Sequence, residues 1–172
     1  MIVALAIALV VTVGIPYVVV KHLGVGIHRR GRASDARFVA LTFDDGPDPI
    51  ATPRLLASLR RHGAKATFFV SGDAARAHPQ LVRQLIAEGH DVGSHGFAHR
   101  HALFERWPLA GFFDTRRAPD QLDALLGRRT RFFRPPFGAY SWSVLLAIWI
   151  ARVQPVNWSV ESHDWHPRYA PS

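Results

Sequence analysis

Two adjacent carboxylates, Asp44 and Asp45, follow an apolar run over residues 38–43 and precede the turn-forming pair Gly46 and Pro47. Such a run predicts a buried strand, and active sites of α/β proteins collect at the carboxyl ends of strands. Because neighbouring strand residues point to opposite faces, we expect one acid to bind a cation and the other to handle a proton. For the pair alone, a solvated Asp-Asp-Gly turn is an equally good interpretation.

Two histidines, His95 and His99, lie four residues apart in the segment 91–99. On one helical turn this spacing puts both imidazoles on the same face, and paired histidines grip zinc at the same spacing. One added carboxylate gives a two-His, one-Asp ligand set with a position left open for water. The chain has ten histidines, so the spacing is a weak signal alone and gains weight from Asp44 and Asp45.

Two further segments complete a pattern. Residues 131–138 have the sequence R-F-F-R-P-P-F-G, a short strand whose two prolines hold the backbone after Arg134 rigidly. Residues 158–165, W-S-V-E-S-H-D-W, end another strand with acids and aromatics. In this order, the four segments resemble the polysaccharide deacetylases with a NodB-homology domain, the family-four carbohydrate esterases. The resemblance covers about residues 38–167 and rests most on the strings T-F-D-D-G-P and R-P-P-F-G.

The resemblance implies a role for each matching residue. Asp44 would be the general base that activates the hydrolytic water, and Arg134 would orient and electrostatically tune it. The backbone N–H of Phe137 would help to hold the oxyanion. Three residues would bind Zn²⁺, or another divalent ion such as Co²⁺ or Mn²⁺: Asp45, His95 and His99. Three more would support the site or wall its acetyl pocket: Pro135, Asp164 and Trp165.

The chain also departs from the family pattern. Gly96 stands where a Ser or Thr usually follows the first histidine ligand. The family's last motif, a strand ending in Leu-x-His whose imidazole protonates the leaving group, has no counterpart after Asp164. General acid catalysis is typically worth about 100- to 10,000-fold. We therefore expect a C-terminally incomplete domain, in which removal of N-acetyl groups suffers more than removal of O-acetyl groups.

Three functions stay open at this point. The first is a deacetylase of N-acetylated sugar units in a cell-wall or related polysaccharide, such as peptidoglycan or a chitooligosaccharide. The second is an O-acetyl carbohydrate esterase. The third is a catalytically impaired relative that binds glycan at the cell surface without the acid histidine.

Between and around these segments, strand and helix patterns alternate in the order expected for an α/β fold. Thr52 predicts the cap of a helix that ends at Gly63, residues 66–70 a strand, Pro79 the start of a second helix, and residues 90–94 a strand. This order argues for parallel strands with right-handed crossovers. The resemblance implies an irregular (β/α) barrel of the NodB-homology type, truncated at its C-terminus.

Outside the motifs, packing is the default interpretation. Residues 145–150 predict a core-facing helix that includes Trp149. Residues 103–117 are expected to be packed in the interior, with an interfacial or substrate-lining loop as the alternative. His90 is most simply a surface or loop residue.

The N-terminal residues 1–22 are expected to form a transmembrane anchor. Residues 1–20 carry no charge, and about 20 apolar residues span a bilayer core of about 30 Å. A basic n-region and an Ala-x-Ala cleavage site are missing; a buried soluble helix is the alternative. Residues 23–37 are assigned to a linker and residues 38–172 to the deacetylase domain.

The resemblance implies a single-pass protein of the cell membrane whose catalytic domain is extracytoplasmic. The basic residues after the apolar segment favour the opposite orientation by the positive-inside rule. The net charge is +8, but the arginines are scattered without a basic, aromatic stripe, so no nucleic-acid partner is expected. The chain has no Cys, which excludes disulfides and thiolate metal sites. The expected partners are a polysaccharide and, through the N-terminal helix, a membrane; the oligomeric state is left open.

Overall fold

The structure is a computed structural model that describes residues 2–11, 15, 18, 26–29, 38–98 and 108–163. Its strands are β1 (Leu41–Phe43), β2 (Ala66–Val70), β3 (Asp91–Ser94), β4 (Phe132–Phe133) and β5 (Gln154–Pro155). Its helices are α1 (Ile2–Leu9), α2 (Ala51–Arg61), α3 (Gly72–Ala77), α4 (Pro79–Ala87), α5 (Pro108–Leu126) and α6 (Trp142–Ala151), with a 3₁₀ turn at Pro136–Gly138. The strands form one sheet in the order β1-β2-β3-β4-β5.

Every pairing in this sheet is parallel, which confirms the predicted α/β class and the predicted strand direction. Phe43 lies opposite Phe68, Phe68 opposite Val92, and Ser94 opposite Phe133. Because all strands run the same way, their carboxyl ends share one edge of the sheet, and the segments that follow them come together there.

Two apolar clusters hold the helices against the sheet. The larger cluster joins β2 and β3 to α2, α4 and α5, and its completely buried members include Leu56, Val70, Val82, Leu85 and Leu122. The smaller cluster joins β4 to α6 through Phe133, Tyr140, Val144 and Ile148. Each such side chain contributes about 1.5–3 kcal/mol when it is fully buried, so these two clusters hold the edge that carries the site.

The start of α2 differs from the prediction that Thr52 caps it. The helix begins at Ala51, and the Asp48 carboxylate does the capping by accepting from the N–H groups of Ile50 at 2.8 Å and Ala51 at 2.6 Å. These two backbone hydrogen bonds lower the pKa of Asp48, and the bond from Ala51 contributes more than the bond from Ile50. Thr52 is buried inside the first turn, where its hydroxyl accepts from the Asp48 N–H at 2.9 Å.

Other element boundaries test the remaining predictions. The strand over residues 66–70 is confirmed, whereas β3 begins at Asp91, one residue later than predicted. Two helices were not predicted. One is α3, capped by the Ser71 hydroxyl. The other is α5, which begins at Pro108 inside the segment 103–117, where buried packing or an interfacial or substrate-lining loop was expected.

The prediction for Trp149 is wrong: it is 74% exposed, because α6 buries the face that carries Val144, Ile148 and Ala151. His90, expected on the surface or in a loop, lies in the loop before β3 but is only 5% exposed. Its Nδ1 accepts from the Ala66 N–H at 3.3 Å, so the ring fills the space beside β2 as a neutral acceptor.

The expected anchor over residues 1–22 is described at residues 2–11, 15 and 18. Among the helices of the described residues, none combines the length and the apolar content that crossing a membrane requires.

Part of the expected linker lies beside the sheet. His28 forms an isolated parallel bridge with Val156. The His28 N–H donates to the Pro155 carbonyl at 3.1 Å, and the Asn157 N–H donates to the His28 carbonyl at 2.8 Å. The backbone after β5 is therefore paired on its far side by residues that precede the first strand.

Candidate functional site

The carboxyl edge of the sheet brings together the predicted residues that the structure describes. Asp44 and Asp45 follow β1, His95 follows β3, and Arg134 follows β4. The His95 N–H donates to the Val70 carbonyl at 2.8 Å, and the Arg134 N–H donates to the Ser94 carbonyl at 2.9 Å. The backbone of His95 and Arg134 thus continues the hydrogen bonding of the sheet beyond the ends of the strands.

Arg134 binds the first acid. Its Nη1 donates to Asp44 Oδ1 at 2.7 Å and to the Thr42 hydroxyl at 3.0 Å, and its Nε donates to the Val156 carbonyl at 3.4 Å. The Arg134 side chain is 2% exposed and the Asp44 side chain 27%. A charge-assisted hydrogen bond at this depth fixes the orientation of the Asp44 carboxylate while one part of it stays open to solvent.

Two aromatic rings flank the guanidinium group. Its central carbon lies 4.1 Å from the centroid of the Phe69 ring and 5.5 Å from that of the Trp158 ring. Attraction of the cation to these ring faces offsets part of the cost of its burial. Arg134 is therefore a fixed positive charge beside Asp44 and has little freedom to swing away from it.

The second acid faces a histidine. Asp45 Oδ1 lies 3.2 Å from His95 Nε2, and the imidazole is 3% exposed. His95 Nδ1 lies 2.8 Å from the Arg134 carbonyl oxygen. A carbonyl oxygen can only accept, so Nδ1 carries a proton and donates, and in the neutral ring the lone pair of Nε2 points at Asp45. An acceptor nitrogen and a carboxylate oxygen this close need a proton or a cation to hold them together.

A divalent metal fits this pair of atoms. In a tetrahedral site with bonds of about 2.0–2.2 Å, two ligand atoms lie about 3.3–3.6 Å apart, close to the distance observed here. The N–H of a metal-binding imidazole is usually donated to a carbonyl or carboxylate oxygen, which is what His95 does with Arg134. Within the described residues, no group of three or more His, Cys, Asp or Glu side chains is close enough to hold a metal. His99, the predicted third ligand, lies outside them.

The loop after β4 carries the predicted oxyanion donor. Pro135 is completely buried, so it supports this loop and does not line an open pocket. Phe137 has φ of 57° and Gly138 φ of 61° in the turn that follows. A Cβ on Gly138 would lie 3.1 Å from the Trp158 ring, so the turn packs closely on that tryptophan. Asp164 and Trp165, the other predicted supporting residues, lie outside the described residues.

Two contributors to the site were not predicted. The Thr42 hydroxyl accepts from Arg134 Nη1 beside Asp44, and Thr42 lies two residues before Asp44, on the same strand face; that spacing is the signal that could have identified it. Trp158 lies within a segment that the sequence singled out, but no spacing rule points its ring at Arg134.

A comparison with protein families agrees with this geometry. The family described as polysaccharide deacetylase matches residues 31–156. The chain belongs to the polysaccharide deacetylase family.

Several members of the polysaccharide deacetylase family and a solved structure are similar to this chain. The chitooligosaccharide deacetylase of Azorhizobium caulinodans is 38% identical over 128 residues, which cover 74% of this chain and 60% of that protein. The peptidoglycan-N-acetylglucosamine deacetylase of Bacillus cereus is 35% identical over 133 residues, which cover 74% of this chain and 46% of that protein. A family 4 carbohydrate esterase from Streptomyces lividans superposes with a TM-score of 0.68 at 32% identity, covering 74% of this chain and 66% of that one. The chain thus spans less than two thirds of each of these relatives.

Proposed function

We propose that this chain is part of a metal-dependent hydrolase that removes acetyl groups from N-acetylated sugar units of a polysaccharide such as peptidoglycan or a chitooligosaccharide. The observation that carries the proposal is the double contact of Arg134, whose Nη1 donates to Asp44 at 2.7 Å and whose carbonyl accepts from His95 at 2.8 Å. Through these two contacts Arg134 connects the proposed proton acceptor, Asp44, with a proposed metal ligand, His95. The substrate class is supported by the names of the relatives, a chitooligosaccharide deacetylase and a peptidoglycan-N-acetylglucosamine deacetylase.

Asp45 and His95, with His99 as the third ligand, would hold Zn²⁺ or another divalent ion such as Co²⁺ or Mn²⁺. When bound, such an ion lowers the pKa of a water molecule to about 7 and polarises a carbonyl group. The Arg134 carbonyl fixes the ring of His95 through Nδ1, which would leave Nε2 free to bind the ion.

Asp44 would take the proton of the water that attacks the acetyl carbon. Arg134 holds Asp44 Oδ1, and the carboxylate remains 27% exposed, which leaves it accessible from the substrate side. The Phe137 N–H would donate to the oxyanion that forms on the acetyl oxygen. Removing one donor of this kind typically costs about 100- to 1000-fold in rate.

Collapse of the tetrahedral intermediate breaks the acetyl C–N bond, releases acetate and leaves an amine that needs a proton. Supply of that proton by a general acid is typically worth about 100- to 10,000-fold. An O-acetyl ester releases its alcohol with less help. Comparison of N-acetyl with O-acetyl substrates therefore isolates this last step and distinguishes a deacetylase from an O-acetyl esterase.

The wider architecture is also a proposal. We infer an irregular (β/α) barrel of the NodB-homology type, because neighbouring strands follow the chain order without a reversal, as in barrels and unlike doubly wound sheets. We further infer that the uncharged residues 1–20 anchor the protein in the cell membrane with its catalytic domain outside. The anchor is inferred from the sequence, whereas the outward placement is inferred from the proposed cell-wall substrate and runs against the positive-inside rule.

The test is acetate release by the detergent-solubilised chain with added Zn²⁺. The substrates are N-acetylglucosamine oligomers and an O-acetylated glycan, each with and without a chelator. Asp44→Asn removes the base, and Asp120→Asn is the matched control because Asp120 is an exposed acid on α5 paired with Arg116. Bound metal is quantified in the same preparations.

Chelator-sensitive release from the N-acetyl oligomers, lost in Asp44→Asn and kept in Asp120→Asn, is the expected result. Release from the O-acetylated glycan alone would replace the proposal with an O-acetyl esterase. Stoichiometric metal binding with no release from either substrate would overturn hydrolysis by this chain itself and indicate either a fragment of the enzyme or a glycan-binding relative.

A further inference from the structure

The backbone immediately after His95 is bound by an acid that no motif contains. On α5, Asp114 Oδ2 accepts from the Phe97 N–H at 2.8 Å, and Asp114 Oδ1 accepts from the Ala98 N–H at 2.9 Å. Each carboxylate oxygen takes one N–H, so a single side chain fixes two successive peptide groups. Charge-assisted hydrogen bonds of this length are about twice as strong as neutral ones.

The opposite side of the same backbone is held by α3. The Gly72 N–H donates to the Gly96 carbonyl at 2.9 Å, and the Asp73 N–H donates to the Phe97 carbonyl at 2.8 Å. The N–H groups of Phe97 and Ala98 thus point to α5, and the carbonyls of Gly96 and Phe97 point to α3. With both sides bound, the path of the chain after His95 is determined by these two helices.

Gly96 leaves the space that Asp114 uses. It has φ of 80°, and a Cβ built on it would lie 2.8 Å from Asp114 Oδ2. The same Cβ would lie 3.3 Å from the Pro136 ring. A side chain at position 96 and the Asp114 carboxylate therefore exclude one another, and the close approach of α5 to the loop depends on this glycine.

Asp114 belongs to a face of α5 that contacts this region at three points. Asp114, Arg117 and Gln121 follow one another at spacings of three and four residues, which puts them on one side of a helix. The Arg117 guanidinium carbon lies 3.7 Å from the centroid of the Phe97 ring, and Gln121 Nε2 donates to the Gly72 carbonyl at 2.9 Å. The helix therefore binds both the loop and the segment that supports it.

We propose that Asp114 is a positioning residue of the metal site: it sets the direction in which the chain leaves His95 and so the placement of the ligands around it. The proposal rests on the function proposed above. Replacing a residue that orients metal ligands without binding the metal itself typically costs about 10- to 100-fold in metal affinity. Asp114 binds the backbone of residues 97 and 98, which follow the proposed ligand His95. Its loss should therefore change the geometry around the metal as well as the affinity for the metal.

The experiment measures Co²⁺ and Zn²⁺ binding to the detergent-solubilised chain by competition with a chromophoric chelator, together with the visible spectrum of the Co²⁺ form. Asp114→Ala removes both acceptors, and Asp114→Asn keeps the volume with one acceptor oxygen. Asp120→Ala is the control on the same helix, since Asp120 is exposed and pairs with Arg116 at 2.8 Å. A merely structural acid would alter the melting temperature without altering the Co²⁺ spectrum.

The expected result is affinity weakened by about 10- to 100-fold in Asp114→Ala, a smaller loss in Asp114→Asn, a changed Co²⁺ spectrum in both, and wild-type behaviour in Asp120→Ala. If Asp114→Ala does not fold, Asp114→Asn decides alone: wild-type affinity and spectrum in that variant would overturn the positioning role while leaving the proposed function intact. Failure of the wild-type chain to bind either metal would overturn the proposed function and this role together.

Discussion

Replacement of Arg134 by methionine should damage stability and catalysis together. The change removes the Nη1 hydrogen bonds to Asp44 at 2.7 Å and to Thr42 at 3.0 Å, and keeps an unbranched side chain of similar length. Asp44 then stands at the sheet edge without a counter-ion, although its side chain is only 27% exposed. The variant therefore tests whether Arg134 and Asp44 form one energetic unit.

The magnitude follows from the burial of the two partners. Removing one member of a buried ion pair typically costs about 3–5 kcal/mol. Water still reaches the 27% of Asp44 that is exposed and screens part of the orphaned charge, so we expect about 3 kcal/mol for Arg134→Met, at the lower end of that range. Adding Asp44→Asn neutralises the orphaned charge, so the double variant should regain about 1–2 kcal/mol.

The assay is urea unfolding of the four proteins of this cycle, followed by the fluorescence of the five tryptophans. Arg129→Met is the control, because Arg129 donates to the Ala151 carbonyl at 3.3 Å and has an exposed side chain; a change within about 0.5 kcal/mol is expected there. In acetate release, Arg134→Met should lower kcat more than it raises KM. Additivity of the two single changes within about 0.5 kcal/mol would refute the coupling.

Three shorter predictions concern the packing of the sheet, each measured by urea unfolding. Burial lowers the pKa of His90, with a smaller contribution from the charge of a nearby lysine, so the unfolded chain takes up the proton first and stability falls as the pH drops below about 6.5; His90→Gln should flatten this fall, and an unchanged pH profile would count against it. Gly93→Ala places a Cβ 2.8 Å from the Phe69 ring and 3.0 Å from the Phe132 carbonyl, which should cost about 1–3 kcal/mol; a cost below about 0.5 kcal/mol would show that the ring moves aside freely. The Tyr140 hydroxyl is buried without a hydrogen-bond partner among the described residues, so Tyr140→Phe should leave stability equal or up to about 1 kcal/mol higher, and a clear loss would reveal a partner.

The parts of the fold that sequence patterns predicted are those with a strong local signal. Residues 66–70 are an apolar run, and the structure has a strand at the same bounds. In contrast, α5 has Pro119 in its interior and its first turns include the exposed Phe113, so neither the helical periodicity nor the usual boundary residues mark it. The Trp149 prediction failed for a related reason: α6 is apolar on every side, and composition alone cannot say which face the sheet covers.

The contacts of the site also fall into those that the sequence predicted and those that it did not. The parallel order of the strands predicted that the segments after β1, β3 and β4 meet at one edge, and the resemblance predicted that Arg134 meets Asp44 across 90 positions of sequence. Asp114 reaches Phe97 and Ala98 from 17 and 16 positions away through the backbone. Almost any residue can donate its backbone N–H to Asp114, so the residue types at positions 97 and 98 do not indicate this contact in the sequence.

Arg134 shows why side-chain motifs describe only half of such a site. Its guanidinium group binds the proposed base, and its carbonyl oxygen holds the imidazole of His95. The second contact depends on where the backbone lies, which is set by the Arg134 N–H bond to the Ser94 carbonyl at 2.9 Å and by Pro135, before which a residue is restricted to extended conformations. The strand pairing of β3 with β4 therefore carries His95 and Arg134 side by side, and the base and the proposed metal ligand are aligned through one residue. Substitutions of the Arg134 side chain will disturb the base directly, whereas changes in the sheet or in the proline that follows are needed to disturb the ligand.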